Sequence, residues 1–257
     1  MNLRIDSTLG FANLRSTPNT SVAPIDRLPV GHLVTTTGNQ QGEWQPCQTT
    51  VDGNTLNGFV HASLLRPEIN PEVDRLVEAA GIEFKDFLYG TLAEGNAEPR
   101  IREYWQALNL PFESTDVAWS AVFISFIVRK AALAKSFRFS ERHTTYLSDS
   151  KRAKINGDAS KAYWAVRLSE RKLQIGDLVG AYRTAGTAAC PNVVKTYDSL
   201  PGDFCAHCNV VVGIHGDQAI VMGGNVDQTV AVRKVPLTAD GKAKTGEKRI
   251  TIMARNF

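Results

Sequence analysis

The sequence predicts an α+β protein in which a small all-β barrel precedes a larger domain of helices packed on an antiparallel sheet. Residues 1–67 contain short strand-like runs broken by Pro, Gly, Asn and Asp, which is typical of a small barrel. Helical patterns follow from Pro71, and alternating β-branched runs return from Leu173 onward. We therefore expect a barrel over 1–67, a linker with the start of the first helix over 68–79, and the second domain over 80–257.

Composition limits the classes of partner. The chain has 257 residues, 43% of them hydrophobic, which is enough for one large or two modest domains with their own cores. A net charge of +3 is too small to indicate nucleic-acid binding, although it is compatible with an anionic polymer. No segment is long enough to span a membrane, and the N-terminus lacks the pattern of a secretory leader. We expect synthesis in the cytoplasm and delivery to the periplasm or cell wall by a non-Sec route.

The boundary between the domains is marked by two prolines. Pro67 follows a strand-like run, Asn70 is a candidate N-cap and Pro71 suits the first position of a helix. A second helix is predicted from Pro99 to Leu108.

A buried helix is predicted within Ser114–Ala134, because residues 119–128 are apolar at almost every position. Ser114 and Thr115 are its candidate N-caps. Ser120 lies near the start of the helix, where free N–H groups and the helix dipole favour developing negative charge. A buried helical serine can also simply bond back to a carbonyl of the preceding turn.

The strands that follow supply possible partners for Ser120. His207 opens the run HCNVVVGIHG, and Asn225 closes the next run, QAIVMGGN. A nucleophile, a base and an orienting amide in this order suit acyl transfer. Gly-Gly-Asn is equally a common turn sequence, so Asn225 has a structural alternative. The segment 137–172 reads as a polar helical region, and residues 182–205 as a long loop.

Five motifs follow one another between residues 119 and 226: WSAVFIS at 119–125, FSERHTTYL at 139–147, GDLVGAYR at 176–183, HCNVVVG at 207–213 and GGNV at 223–226. Together they resemble the DUF2272 family, which is similar to the papain-like NlpC/P60 and CHAP cell-wall hydrolases. The resemblance implies a papain-like NlpC/P60-type domain that cleaves an amide of peptidoglycan.

The resemblance also implies roles for individual residues. Ser120, His207 and Asn225 would be catalytic. Trp119, His143 and Tyr146 would bind substrate. His143 could also lie behind the catalytic residues and support them, since a lone histidine is more often structural than catalytic. NlpC/P60 and CHAP enzymes carry Cys where this chain has Ser120, and either a natural serine or a Cys-to-Ser replacement would leave this sequence.

The first 67 residues contain NLRS at 13–16, LPVG at 28–31, Trp44 and GFVH at 58–61, in this order. With this pattern the segment resembles a bacterial SH3 domain. The resemblance implies binding to cell-wall peptides, and the alternative is a domain that only packs against its neighbour.

The four cysteines, Cys47, Cys190, Cys205 and Cys208, are too few for a disulfide scaffold in a chain of this length. A Cys190–Cys205 disulfide or buried thiols are favoured over zinc, since a single Cys-x-x-Cys is a weak metal signal. We expect no metal and no cofactor.

The predicted function is therefore peptidoglycan amide hydrolysis, by an endopeptidase or amidase that forms an acyl-serine. Two alternatives remain: an inactive fold that binds the wall, or an enzyme acting on a non-wall acyl group. Without a leader, a phage lysis enzyme or an antibacterial toxin would fit, and a toxin would imply an immunity protein as a partner.

Overall fold

The computed structural model describes residues 1–188 and 190–257. It contains an N-terminal β domain, which comprises seven strands between residues 2 and 67, followed by four helices and a second sheet. The strands of the N-terminal β domain are β1 (Asn2–Ile5), β2 (Phe11–Leu14), β3 (Asp26–Pro29), β4 (Leu33–Thr36), β5 (Trp44–Val51), β6 (Asn54–His61) and β7 (Leu65–Pro67).

Five of these strands form one antiparallel sheet in the order β6-β5-β4-β1-β7, and β2 pairs with β3. Alternate side chains of the strands face a shared apolar core that includes Ile5, Leu14, Leu28 and Val60, all fully buried.

Within the described residues there are four α-helices: α1 (Pro71–Asp86), α2 (Glu98–Ala107), α3 (Ser120–Ala131) and α4 (His143–Asn156). Asn70 caps α1 as expected, because its side-chain oxygen accepts hydrogen bonds from the N–H groups of Glu72 and Val73. No helix among the described residues is long and apolar enough to cross a membrane.

The second sheet has six strands in the order β12-β11-β10-β9-β13-β8. They are β8 (Tyr163–Val166), β9 (Leu178–Tyr182), β10 (Ala206–His215), β11 (Gln218–Val226), β12 (Thr229–Pro236) and β13 (Arg249–Arg255). Every neighbouring pair is antiparallel. Helix α3 packs on β10 and β11, so the predicted α+β arrangement with an N-terminal all-β domain is confirmed.

The N-terminal β domain packs directly on α1. A Cβ atom at Gly81 would lie 2.1 Å from the carbonyl oxygen of Val30, and one at Gly31 would lie 2.6 Å from the backbone nitrogen of Glu78. Val30 is itself fully buried in the larger core. Side chains also connect the two parts, since Nε2 of His215 lies 2.9 Å from Oδ1 of Asp6.

Two local predictions differ from the structure. Helix α3 begins at Ser120, so Ser114 and Thr115 do not cap it. Within the segment 137–172, only His143–Asn156 is helical, and Trp164 lies on the edge strand β8, paired with Ala254 of β13. Tyr-Trp-Ala-Val is rich in residues that favour strands, and such a short run can be recognised only through its pairing partner.

Candidate active site

Ser120 is the first residue of α3, and the N-cap before it, Trp119, provides no side-chain hydrogen bond to the helix. The first N–H groups of a helix have no intrahelical acceptor, and they lie at the positive end of its dipole. Ser120 therefore lies at a helix terminus that can stabilise negative charge, and it lines an open cavity.

Trp119 has a different role from the one expected. Its side chain is fully buried, its ring stacks on Phe87 with centroids 5.5 Å apart, and its Nε1 donates to Glu94 at 2.8 Å. The predicted substrate contact is thus corrected: Trp119 is a core residue that anchors the start of α3.

The hydroxyl of Ser120 is hydrogen-bonded to an imidazole. Its Oγ lies 2.7 Å from Nε2 of His143, which is the first residue of α4. The other ring nitrogen of His143, Nδ1, contacts the hydroxyl of Tyr146. Tyr146 is in turn hydrogen-bonded to the thiol of Cys208 on β10. A buried polar chain therefore runs from Ser120 through His143 and Tyr146 to Cys208.

The donors and acceptors of this chain can be matched in one consistent direction. If Ser120 donates to Nε2, the proton of the neutral imidazole is on Nδ1 and is donated to the oxygen of Tyr146. The hydroxyl of Tyr146 then donates to the sulfur of Cys208. Tyr146 is fully buried beneath His143, so it orients the imidazole and does not reach substrate as the sequence had suggested.

Burial controls protonation along the chain. It lowers the pKa of His143 well below its ordinary value of 6.5, and the charges of His207 and Arg183 lower it further. Burial also raises the pKa of Tyr146 and of the Cys208 thiol. All three groups are therefore neutral near pH 7, and His143 is free to accept a proton.

His207, the base predicted from sequence, lies beside this chain. Its ring centroid is 5.3 Å from that of His143, and its Nε2 lies 3.1 Å from Oδ1 of Asn209. Among residues 1–188 and 190–257, no hydrogen bond joins it to Ser120. Burial lowers the pKa of His207 to about 4, the charge of Arg183 acts in the same direction, and the bond to Asn209 opposes them.

Two cavities meet at this cluster. The first, of about 430 Å³, is lined by Ser120 and His143, and the second, of about 370 Å³, by His207, Asn209 and Asn225. Arg183 lines both cavities, together with its neighbour Thr184.

The predicted orienting residue, Asn225, reaches the second cavity from the end of β11, with a φ of 53°. It is Asn209, however, that bonds His207. Asn209 follows His207 by two positions on β10, so both side chains lie on one face of the strand, a relationship that period-two reasoning could have found. His143 and Tyr146 are similarly three residues apart on one helix face.

A disulfide forms part of one wall of the first cavity. Cys190 and Cys205 form a disulfide with a Cα–Cα distance of 5.5 Å, and both residues line the cavity. The loop predicted over 182–205 includes residue 189, which lies outside the described residues. Cys47 and Cys208 are buried free thiols. No group of three or more His, Cys, Asp or Glu suited to a metal ion occurs in the part of the chain that the structure describes.

Comparisons with known proteins assign both parts of the chain. Residues 10–66 match the bacterial SH3 domain, and residues 102–257 match the family described as "Uncharacterized protein conserved in bacteria (DUF2272)". No curated protein matches. A solved structure of NlpC2 from Trichomonas vaginalis aligns with 99% of this chain and 73% of its own, at 11% identity and a TM-score of 0.24. The DUF2272 match covers well over half of the sequence, and the chain belongs to the DUF2272 family.

Proposed function

We propose that this protein hydrolyses an amide bond of a cell-wall peptide through an acyl-enzyme formed on Ser120. The observation that carries the proposal is the 2.7 Å hydrogen bond between Ser120 and His143 at the edge of an open cavity of about 430 Å³. A nucleophile, a neutral base bonded to it and a group that orients the base are the three parts that acyl transfer requires.

In the proposed reaction, Oγ of Ser120 attacks the amide carbonyl carbon while Nε2 of His143 takes the hydroxyl proton. The tetrahedral intermediate collapses when the carbon–nitrogen bond breaks and His143 returns the proton to the leaving amine. Water then attacks the ester, with His143 again accepting and returning a proton, and a carboxylic acid is released. Atoms balance as one amide plus one water giving one amine and one acid.

The oxyanion would be held by backbone N–H groups at the start of α3. Those of Ser120 and Ala121 belong to the first turn, and both residues line the cavity. Removing a single oxyanion donor from a hydrolase costs about 100-fold to 1,000-fold in rate, so this contribution is large.

His207 remains an alternative base because its ring is the next imidazole from Ser120. We favour His143, which already has its Nε2 on the nucleophile and its Nδ1 on Tyr146. In this arrangement His207 and Asn209 face substrate from the second cavity.

The bacterial SH3 match over residues 10–66 and the motifs that resemble cell-wall hydrolases support the wall as the substrate. Activity on peptidoglycan would place the working site in the periplasm or the wall.

The test is digestion of purified sacculi, followed by mass spectrometry of the soluble fragments. Wild-type protein should release fragments that carry one new amine and one new carboxylate, and Ser120→Ala should release none. Binding to sacculi without any release would instead support a wall-binding protein. Release by Ser120→Ala at the wild-type rate would exclude the acyl-serine mechanism.

A further inference from the structure

Arg183 lies between the two cavities, immediately after the end of β9 at Tyr182. Its backbone N–H donates to the carbonyl of Cys205 at 2.7 Å, which fixes its position beside the disulfide. Its side chain is exposed. A bound substrate that spans both cavities would therefore pass its guanidinium.

Most of the acids around Arg183 already have other partners. Four acidic residues line the two cavities. Three of them pair with other arginines: Asp203 with Arg142 at 2.6 Å, Glu247 with Arg249 at 2.7 Å, and Asp227 with Arg233. The fourth, Glu141, lies at the first cavity.

Arg183 itself has no such partner. Within residues 1–188 and 190–257, its guanidinium forms no hydrogen bond or ion pair. Its charge also acts on both imidazoles, since it lowers the pKa of His143 and of His207. The guanidinium of Arg183 is thus close to His143 and His207. A negatively charged group of a bound substrate could pair with it there.

We propose that Arg183 determines specificity by binding a carboxylate that neighbours the scissile amide, so that the substrate is an acidic peptide with its carboxyl group free. A guanidinium presents paired donors that match a carboxylate, and such charge-assisted bonds are stronger than neutral ones. This inference rests on the proposed function, because it names the substrate class of the same site.

The experiment compares two forms of one polymer: purified sacculi with free carboxyl groups, and the same sacculi converted to carboxamides with carbodiimide and ammonium chloride. Wild-type protein should cleave the free form with a kcat/KM about tenfold higher, as expected for one charge-assisted contact. Arg183→Met should cleave both forms equally, and Arg183→Lys should restore part of the preference.

Lys248→Met is the matched control. It removes one positive charge near Arg183, where the ammonium is bonded to the hydroxyl of Thr184, without releasing an acid from an ion pair. It should keep the wild-type preference. Equal cleavage of both sacculi by the wild type, or an unchanged preference in Arg183→Met, would overturn the inference.

A binding measurement separates this inference from the hydrolase proposal. Ser120→Ala, alone and combined with Arg183→Met, is titrated with muramidase-released wall fragments, free or amidated. Tighter binding of the free fragments that disappears with Arg183→Met supports the inference even if no cleavage occurs. Labelling of Ser120 by a fluorophosphonate at equal rates in wild type and Arg183→Met would show that the nucleophile is intact.

Discussion

Ser120 and His143 are 23 positions apart in the chain, yet Oγ and Nε2 lie 2.7 Å from each other because each residue begins a helix. The starts of α3 and α4 meet at the cavity, so both side chains project from backbone that is anchored by a buried helix. This arrangement gives the proposed nucleophile and its proposed base a fixed separation.

Ser120→Ala and His143→Ala should each lower the rate of fragment release by at least about a thousandfold, since members of such a unit act together. Ser125→Ala is the control, because Ser125 is a buried hydroxyl of the same helix that donates to the carbonyl of Ser140. It should cost about 1–2 kcal/mol of stability and leave the rate near wild type. A large loss in His207→Ala with little in His143→Ala would transfer the base role to His207.

Tyr146→Phe should reduce kcat by about tenfold to a hundredfold with little change in KM. Without the hydroxyl, Nδ1 of His143 loses its acceptor and the reactive tautomer is no longer favoured, an effect smaller than loss of a buried orienting carboxylate. Tyr163→Phe removes an equally buried hydroxyl that donates to the carbonyl of Gly176 at 3.1 Å. It should leave kcat unchanged; equal losses in both variants would indicate a structural effect only.

The pH profile of kcat/KM should extend further into acid than an ordinary histidine would allow. The base works only when neutral, and burial lowers the pKa of His143 below 6.5, so activity should persist as the pH falls through 6.5. Arg183→Met removes a charge that lowers the same pKa, so its acidic limb should move to higher pH. An acidic limb at or above 6.5 in the wild type would contradict the buried, neutral imidazole.

The free energy of unfolding should depend on pH through the buried imidazole of His207. His207 has a pKa of about 4 in the folded protein against an ordinary 6.5, so the unfolded chain binds more protons between these values. The free energy of unfolding should therefore fall as the pH decreases from 6.5 to about 4. Urea denaturation of wild type and His207→Gln measures it, and the variant should show a shallower pH dependence. An identical pH dependence in both proteins would argue against this origin.

Gly81→Ala should destabilise the protein by about 1–3 kcal/mol, because the new methyl would collide with the carbonyl of Val30 2.1 Å away. The collision should outweigh the gain in helix propensity, which is about 1 kcal/mol. Gly95→Ala, which meets nothing within 4 Å, should leave the melting temperature almost unchanged. Calorimetry distinguishes the two, and equal melting temperatures would mean that the contact with the N-terminal β domain is loose.

The sequence predicts the architecture well because the signals for it are local. The Asn70–Pro71 start of α1 and the apolar run of α3 need no tertiary information to be recognised. The strand β8 could not be predicted, since its four residues are stabilised only by pairing with the distant β13.

The sequence indicates which residues belong to the candidate site, but it does not indicate which histidine bonds to Ser120. Chain order suggested that Ser120 would meet His207, whereas the packing of α4 brings His143 to the hydroxyl. Whether His143 or His207 lies nearer to Ser120 depends on how α4 packs against the second sheet. The spacing of residues along the chain does not determine that packing.

The backbone of Gly81 lies against the carbonyl of Val30, and we therefore expect the N-terminal β domain and the cavity to move together. A polymer bound to that domain would then reach Ser120 at a constant distance from the place where it is bound. The length of the released fragments would then depend on the distance between the polymer-binding surface of that domain and Ser120.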